Sequence, residues 1–128
     1  MQNVFPILIV NNYKRALVLG TCSFSDLQDK SSLKWKASIL LFKTIAWSAY
    51  QEFNGLGVFV SSQDVSQLKW TFFRVPFLTN SPAAPINATF VGSDSDGMSL
   101  SRKSMAAWVL EKLPEDSEWV GKAPTLSN

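Results

Sequence analysis

Histidine is absent from this 128-residue chain, and cysteine occurs once, as Cys22. Without imidazole and with a single thiol, a structural zinc site, His-based acid–base catalysis and a Ser-His-Asp arrangement are all excluded. A lone cysteine also excludes an internal disulfide framework and fits a reducing compartment. An excess of charge of either sign is missing too. Twelve Lys and Arg against ten Asp and Glu leave a net +2, too little for a general pull toward nucleic acid. No apolar run has membrane length: Ile39 to Tyr50 is broken by Lys43 and falls far short of the roughly 20 residues that a span requires. The run Val4 to Val10 contains Pro6 and lacks the basic flank and small-residue cleavage site of a signal peptide. What is there, 46% hydrophobic and 17% charged residues, lies outside the disordered class. The expectation is a soluble cytosolic protein without a nucleic-acid or membrane partner, folding as a single domain over residues 1–128.

The pattern along the chain alternates between strand and helix. Val4 to Val10 is β-branched and strand-like by local rules, Asn11-Asn12 punctuates it, and Ala16 to Gly20 is a second short apolar run. Gly20-Thr21-Cys22-Ser23 is small enough for a tight exit from a buried strand. From Leu33 the spacing turns helical, with Leu33, Ala37, Leu40, Leu41 and Ile45 on one face. A second helical stretch runs from Ala49 to Ser62, where Gly55 and Gly57 suggest close approach to a neighbour. Leu68 to Val75 alternates and is aromatic, hence a strand that Pro76 ends. A loop with Pro82 and Pro85 leads to a short strand at Ala88 to Gly92. Ser101 caps a helix with Met105, Trp108, Val109 and Leu113 on one stripe, and Glu118 to Lys122 reads as a last strand before a polar tail. Such an order predicts an α/β fold with a parallel sheet, in which Leu17 to Gly20 and Trp70 to Val75 are adjacent parallel strands joined by a helical crossover.

Four passages carry a resemblance. They are Lys14 to Thr21, Leu68 to Leu78, Leu100-Ser101-Arg102-Lys103-Ser104-Met105-Ala106, and Glu118 to Lys122. In order and spacing they resemble the carboxy-terminal half of atypical short-chain dehydrogenases, the NmrA-like NAD(P)H-binding group common in fungi. The resemblance implies a partial Rossmann-like parallel sheet with flanking helices, lacking the N-terminal Gly-rich βαβ unit. It implies an oxidoreductase-type protein, truncated and weakly or not cofactor-binding alone. It also implies that Val4 to Val10 is a helix, against its local composition. No G-x-G-x-x-G occurs, and the family's Y-x-x-x-K is not met, because Tyr50 is followed four positions on by Asn54.

The candidate site residues follow from the same resemblance. Thr21 and Ser23 leave the strand that ends beside the nicotinamide in the family; they are equally small turn residues that let the chain leave the sheet. Pro76, Phe77 and Leu78 match the segment that passes under the nicotinamide ring, or else terminate a strand and plug the core. Tyr50 is a candidate proton donor lacking a near cation, since Lys43 is about two helical turns away, or a core anchor. Arg74 suits a structural ion pair. Ser101-Arg102-Lys103 reads as a helix cap rather than an anion site, and Asp94, Asp96 and Gly97 lack the rest of a calcium loop. The implied cofactor is NAD(P). The implied partners are a small-molecule substrate and the missing N-terminal half. A non-catalytic, self-associating module is the alternative.

Overall fold

The computed structural model describes residues 2–128. Helix α1 (Val4–Val10) opens the chain, followed by strand β1 (Arg15–Thr21), helices α2 (Leu33–Ile45) and α3 (Trp47–Ser61), and strand β2 (Lys69–Val75). Short strands β3 (Phe77–Thr79), β4 (Asn87–Thr89) and β5 (Ser99–Ser101) precede helix α4 (Arg102–Glu111) and the last strand β6 (Thr125–Ser127). The main sheet has the order β1-β2-β6-β4, in which β4 alone runs antiparallel to its neighbour; β3 and β5 form a separate parallel pair. β1 and β2 are parallel neighbours from Arg15 opposite Lys69 to Thr21 opposite Val75, with α2 and α3 in the connection.

Alternation on β2 divides the core in two, as the two-residue period of a strand requires. Trp70 and Phe72 point to the layer of Phe5, Val18 and Val60, while Phe73 and Val75 point to Leu100, Trp108 and Leu126. Each fully buried side chain of this size contributes about 1.5–3 kcal/mol relative to exposure. β1 lies close enough for the Phe72 ring to cover Gly20, where any Cβ would fall 2.0 Å from a ring carbon. Gly57 on α3 gives the same clearance to the Phe24 ring.

The strand-like composition of Val4–Val10 yields to packing. Pro6 sits in the first helical turn, where its missing N–H costs nothing. Phe5 packs edge-on against Phe59 of α3, with 5.5 Å between ring centres, and Asn11 donates from Nδ2 to the Ile7 carbonyl at 2.8 Å.

Other expectations are corrected. The apolar face of α2 expected from the spacing of Leu33, Leu40, Leu41 and Ile45 points to solvent: Leu33 is 84% exposed and Ile45 76%, with Leu40 and Leu41 also open. α2 packs against α3 and the strand exits instead of lying flat on the sheet, so its inward face carries Trp35. Glu118 to Lys122 is a turn, with Gly121 at φ +71°, although the Gly121 N–H still donates to the Trp70 carbonyl. The residues that follow are the true final strand. Thr125 and Leu126 are fully buried because their neighbours satisfy β2, the Arg74 N–H donating to the Pro124 carbonyl at 2.8 Å. Pro76 ends β2 after Val75 as expected, and Phe77–Thr79 beyond it pairs with Ser99–Ser101 in the separate sheet. The strand at Ala88 to Gly92 is displaced to Asn87–Thr89. Ser101 occupies the cap position of α4, but its hydroxyl donates to the Ser81 carbonyl and accepts no N–H from the helix.

Arg74 is completely buried and makes an end-on pair with Asp29, at 2.5 Å (Nη1 to Oδ2) and 2.8 Å (Nη2 to Oδ1). Its remaining N–H groups reach the carbonyls of Ala123 and Phe24. Removing one partner of such a pair leaves an uncompensated buried charge, a loss of about 3–5 kcal/mol. Asp29→Ala is therefore expected to lower the unfolding free energy by about that much in urea titration. The double variant Asp29→Ala, Arg74→Met should recover part of it. A single variant as stable as the wild type contradicts this role.

Candidate functional site

A cavity of about 210 Å³ opens where β1 and β2 end. The exit of β1 contributes Thr21, Cys22 and Ser23, the end of β2 contributes Val75, Pro76 and Phe77, and one side of α2 contributes Trp35, Ser38, Ile39 and Phe42. Both strands are parallel and both end here, so the site lies outside the carboxyl ends of the strands, where open α/β sheets bind ligands.

The polar floor is a hydroxyl pair. Thr21 Oγ1 and Ser23 Oγ are 2.5 Å apart, and Thr21 Oγ1 also accepts the Ser23 N–H at 3.4 Å. Cys22 Sγ lies 3.1 Å from Thr125 Oγ1 on β6. Burial pushes the Cys22 thiol up to about 11, against smaller opposing contributions from the Thr125 hydroxyl and Arg74. At the rim Phe77 is 66% exposed, and its N–H donates to the Met98 carbonyl.

The Trp35 wall is fixed from behind. Its Nε1–H donates to Asp96 Oδ2 at 2.6 Å, the Gly92 N–H donates to the same oxygen at 2.8 Å, and Lys34 Nζ lies 2.8 Å from Oδ1. Burial alone would raise the Asp96 carboxyl. The hydrogen bonds from Lys34, Gly92 and Trp35 outweigh it, and the group is held below its ordinary range. Asp96 thus forms a structural latch with Trp35, Gly92 and Lys34, and no cluster of three potential metal ligands occurs among the described residues.

The structure brings Thr21, Ser23, Pro76 and Phe77 to one cavity. Leu78 points elsewhere, into the layer of Phe73, Leu100 and Trp108. Tyr50 stays on the outside of α3, its ring stacked on Trp47 at 5.7 Å, with Lys43 Nζ 5.5 Å from the ring centre. Lys43 therefore meets Tyr50 over the ring face. The sequence reasoning missed Trp35, Ser38, Ile39 and Phe42. Their spacing of three and four residues was a usable signal, hidden by the stronger leucine stripe on the opposite side. A larger groove of about 570 Å³ lies under α4, between Trp108 and the segment 83–88. Lys112 there is held between Glu111 and Glu118, so no cation is left for a ligand.

Two outcomes follow. Cys22 is 5% exposed and its thiolate forms only near pH 11, so iodoacetamide at pH 8 should leave it unmodified in the folded protein and label it in denaturant. Rapid labelling of the native chain by mass spectrometry contradicts this. The lowered Asp96 carboxyl contributes stability that is present above its unfolded value of about 3.9 and is lost as pH falls through the lower folded value. Thermal melts from pH 6 to pH 2 should accordingly show a smaller acid-induced loss in Asp96→Asn than in the wild type. Equal pH dependence contradicts the latch.

No family model matches the sequence, and no curated protein matches it either. Solved structures do. A short-chain dehydrogenase/reductase from Veillonella parvula aligns with 99% of this chain and 56% of its own length, at TM-score 0.75 and 15% identity. A wide-type short-chain dehydrogenase/reductase from the same organism, in complex with NADP, covers 98% and 55% at TM-score 0.70 and 14% identity. An oxidoreductase from Lactococcus lactis covers 98% and 51% at TM-score 0.65 and 15% identity. The chain spans about half the length of these structures, and at such identity the likeness is one of fold. No helix among the described residues is long and apolar enough to cross a membrane. The chain has a partial Rossmann-like α/β fold: a parallel-dominated sheet with flanking helices, of the type found in NAD(P)-binding oxidoreductase-like proteins.

Proposed function

We propose that this chain is the reaction-end portion of an NAD(P)-binding Rossmann protein of oxidoreductase type. The observation that carries the reading is the cavity at the shared carboxyl end of β1 and β2. Support from comparison is that one protein of similar fold is in complex with NADP. The finer kinship, to the NmrA-like group, rests on the four passages between Lys14 and Lys122 quoted above.

The residues present fit one end of the cofactor. Phe77 offers a half-open ring face at the rim, Pro76 presents no N–H there, and Thr21 and Ser23 offer hydroxyls to an uncharged ring. Nothing comparable suits the pyrophosphate. In this fold it sits on a helix amino terminus behind a glycine-rich turn, and glycines 20, 55, 57, 92, 97 and 121 form no such turn. When bound, the nicotinamide supplies or accepts a hydride. This chain's part is to position the ring at Phe77, to hold a small substrate in the cavity, and to keep water from it with Trp35, Ile39 and Phe42. Tyr50 lies off the cavity, whose proton-bearing side chains are the hydroxyls of Thr21, Ser23 and Ser38, the Cys22 thiol and the Trp35 indole.

Titration calorimetry with NADPH and NADH is expected to give a dissociation constant no tighter than about millimolar, roughly −4 kcal/mol. Fusing the glycine-rich βαβ unit of a structural relative ahead of Met1 should tighten binding. Micromolar binding by the unfused chain contradicts the assignment of the site.

A second reading, a self-associating module, is favoured by the leucine stripe of α2, with Leu33, Leu40, Leu41 and Ile45 all more than half exposed on one helix. An apolar stripe of that extent marks an interaction surface. Under this reading light scattering gives a dimer that Leu40→Glu with Leu41→Glu converts to monomer, whereas a wild-type monomer at high concentration removes the reading.

A further inference from the structure

We infer that the cavity between β1, β2 and α2 selects a small, uncharged, ring-sized compound bearing a single carbonyl or similar acceptor, and rejects carboxylates and phosphates. The inference rests on the reading of this cavity as the substrate site and adds the chemical class.

None of the ten residues lining the cavity is a Lys, Arg, Asp or Glu. The nearest buried cation, Arg74, is already neutralised by the two oxygens of Asp29. Asp96, at the indole N–H edge of Trp35, is likewise paired with Lys34, so the charges nearest that wall are compensated too. A carboxylate entering here would shed its hydration without gaining a countercharge, which is unfavourable in an apolar site. A volume of about 210 Å³ admits one ring with a short substituent.

Counting donors fixes the polar requirement. Trp35 Nε1–H is given to Asp96, the Phe77 N–H to Met98, and the Ser38 hydroxyl to the Lys34 carbonyl at 3.0 Å. Pro76 has no N–H to give, and the Cys22 thiol is engaged with Thr125 Oγ1 at 3.1 Å. Thr21 and Ser23 bring two hydroxyl protons, one of which bridges the pair at 2.5 Å. Among the described residues the other has no protein acceptor. One free donor on a floor otherwise walled by Trp35, Ile39, Phe42 and Phe77 matches a flat apolar body with one acceptor oxygen. A second acceptor on the ligand would find no free side-chain donor, and the site would discriminate against it.

The test is an NMR titration of the full chain with acetophenone, benzoate and NADPH, each alone, following the Trp35 indole N–H and the Cys22 and Phe77 amides. Acetophenone is expected to shift these signals saturably at about millimolar concentrations, the range open to so small a ligand. Benzoate should bind at least tenfold more weakly. The variant Thr21→Val with Ser23→Ala should weaken acetophenone about tenfold. The wild-type comparison of ketone with carboxylate stands even if that variant fails to fold. Benzoate binding as well as acetophenone, or acetophenone causing no saturable shift at these three residues, overturns the inference. NADPH reads the cofactor assignment separately. Saturable acetophenone binding with NADPH shifts confined to residues away from Phe77 sinks that assignment and supports the ligand class.

Discussion

Everything near the strand exits hangs on the buried pair between Arg74 and Asp29. A guanidinium with no solvent access sits at the heart of β2 and holds the loop after β1 through Asp29 and Phe24, and the approach to β6 through Ala123. Asp29 passes the constraint on, since its Oδ1 also accepts the Val91 N–H at 2.9 Å and its Oδ2 the Asp26 N–H at 2.8 Å. Four segments far apart in sequence therefore meet at one charge pair. Such a pair is weak as a source of net stability, because desolvation offsets much of its attraction, but breaking it is costly. Its effect is to fix where the chain can go after Thr21.

The cavity inherits that fixity. With the loop 24–30 tied down, Lys30 donates to the Val91 carbonyl at 2.7 Å and Gly92 passes close by in a left-handed conformation. This places Asp96 where it can receive Trp35. One carboxylate then anchors the amino-terminal turn of α2 and turns Trp35, Ile39 and Phe42 toward the strand ends. Committing the charged groups around it to structural bonds is what leaves the cavity uncharged, with the hydroxyl pair of Thr21 and Ser23 on its floor. Stability of the walls and selectivity of the space come from the same set of bonds.

Legibility in the sequence tracks the range of the interactions. β1 and β2 were readable because strand alternation and apolar runs are local, and their parallel pairing followed from the helical crossover between them. α1 was readable only through resemblance. Its residues favour a strand, and the helix depends on Phe5 meeting Phe59 more than fifty residues away. The face of α2 was misjudged because periodicity defines a stripe but not which stripe is covered, and the decisive partner of Trp35 is Asp96, 61 positions on. The final strand was hidden for the same reason. Thr125 and Ser127 look like a polar tail until Cys22 and Gly97 are seen to satisfy them. Of the candidate site, Thr21, Ser23, Pro76 and Phe77 were legible as strand-exit residues, while the α2 wall was not.

Under the proposed function, the nicotinamide end of NAD(P) meets this chain at the exits of β1 and β2. The most direct measurement is the set of nuclear Overhauser contacts between the chain and NADPH at near-saturating concentration. Contacts are expected from the nicotinamide ring protons to Phe77 and Thr21, and none from the adenine protons to any residue. Adenine contacts at this cavity, or nicotinamide contacts confined to the groove beneath α4, would contradict it.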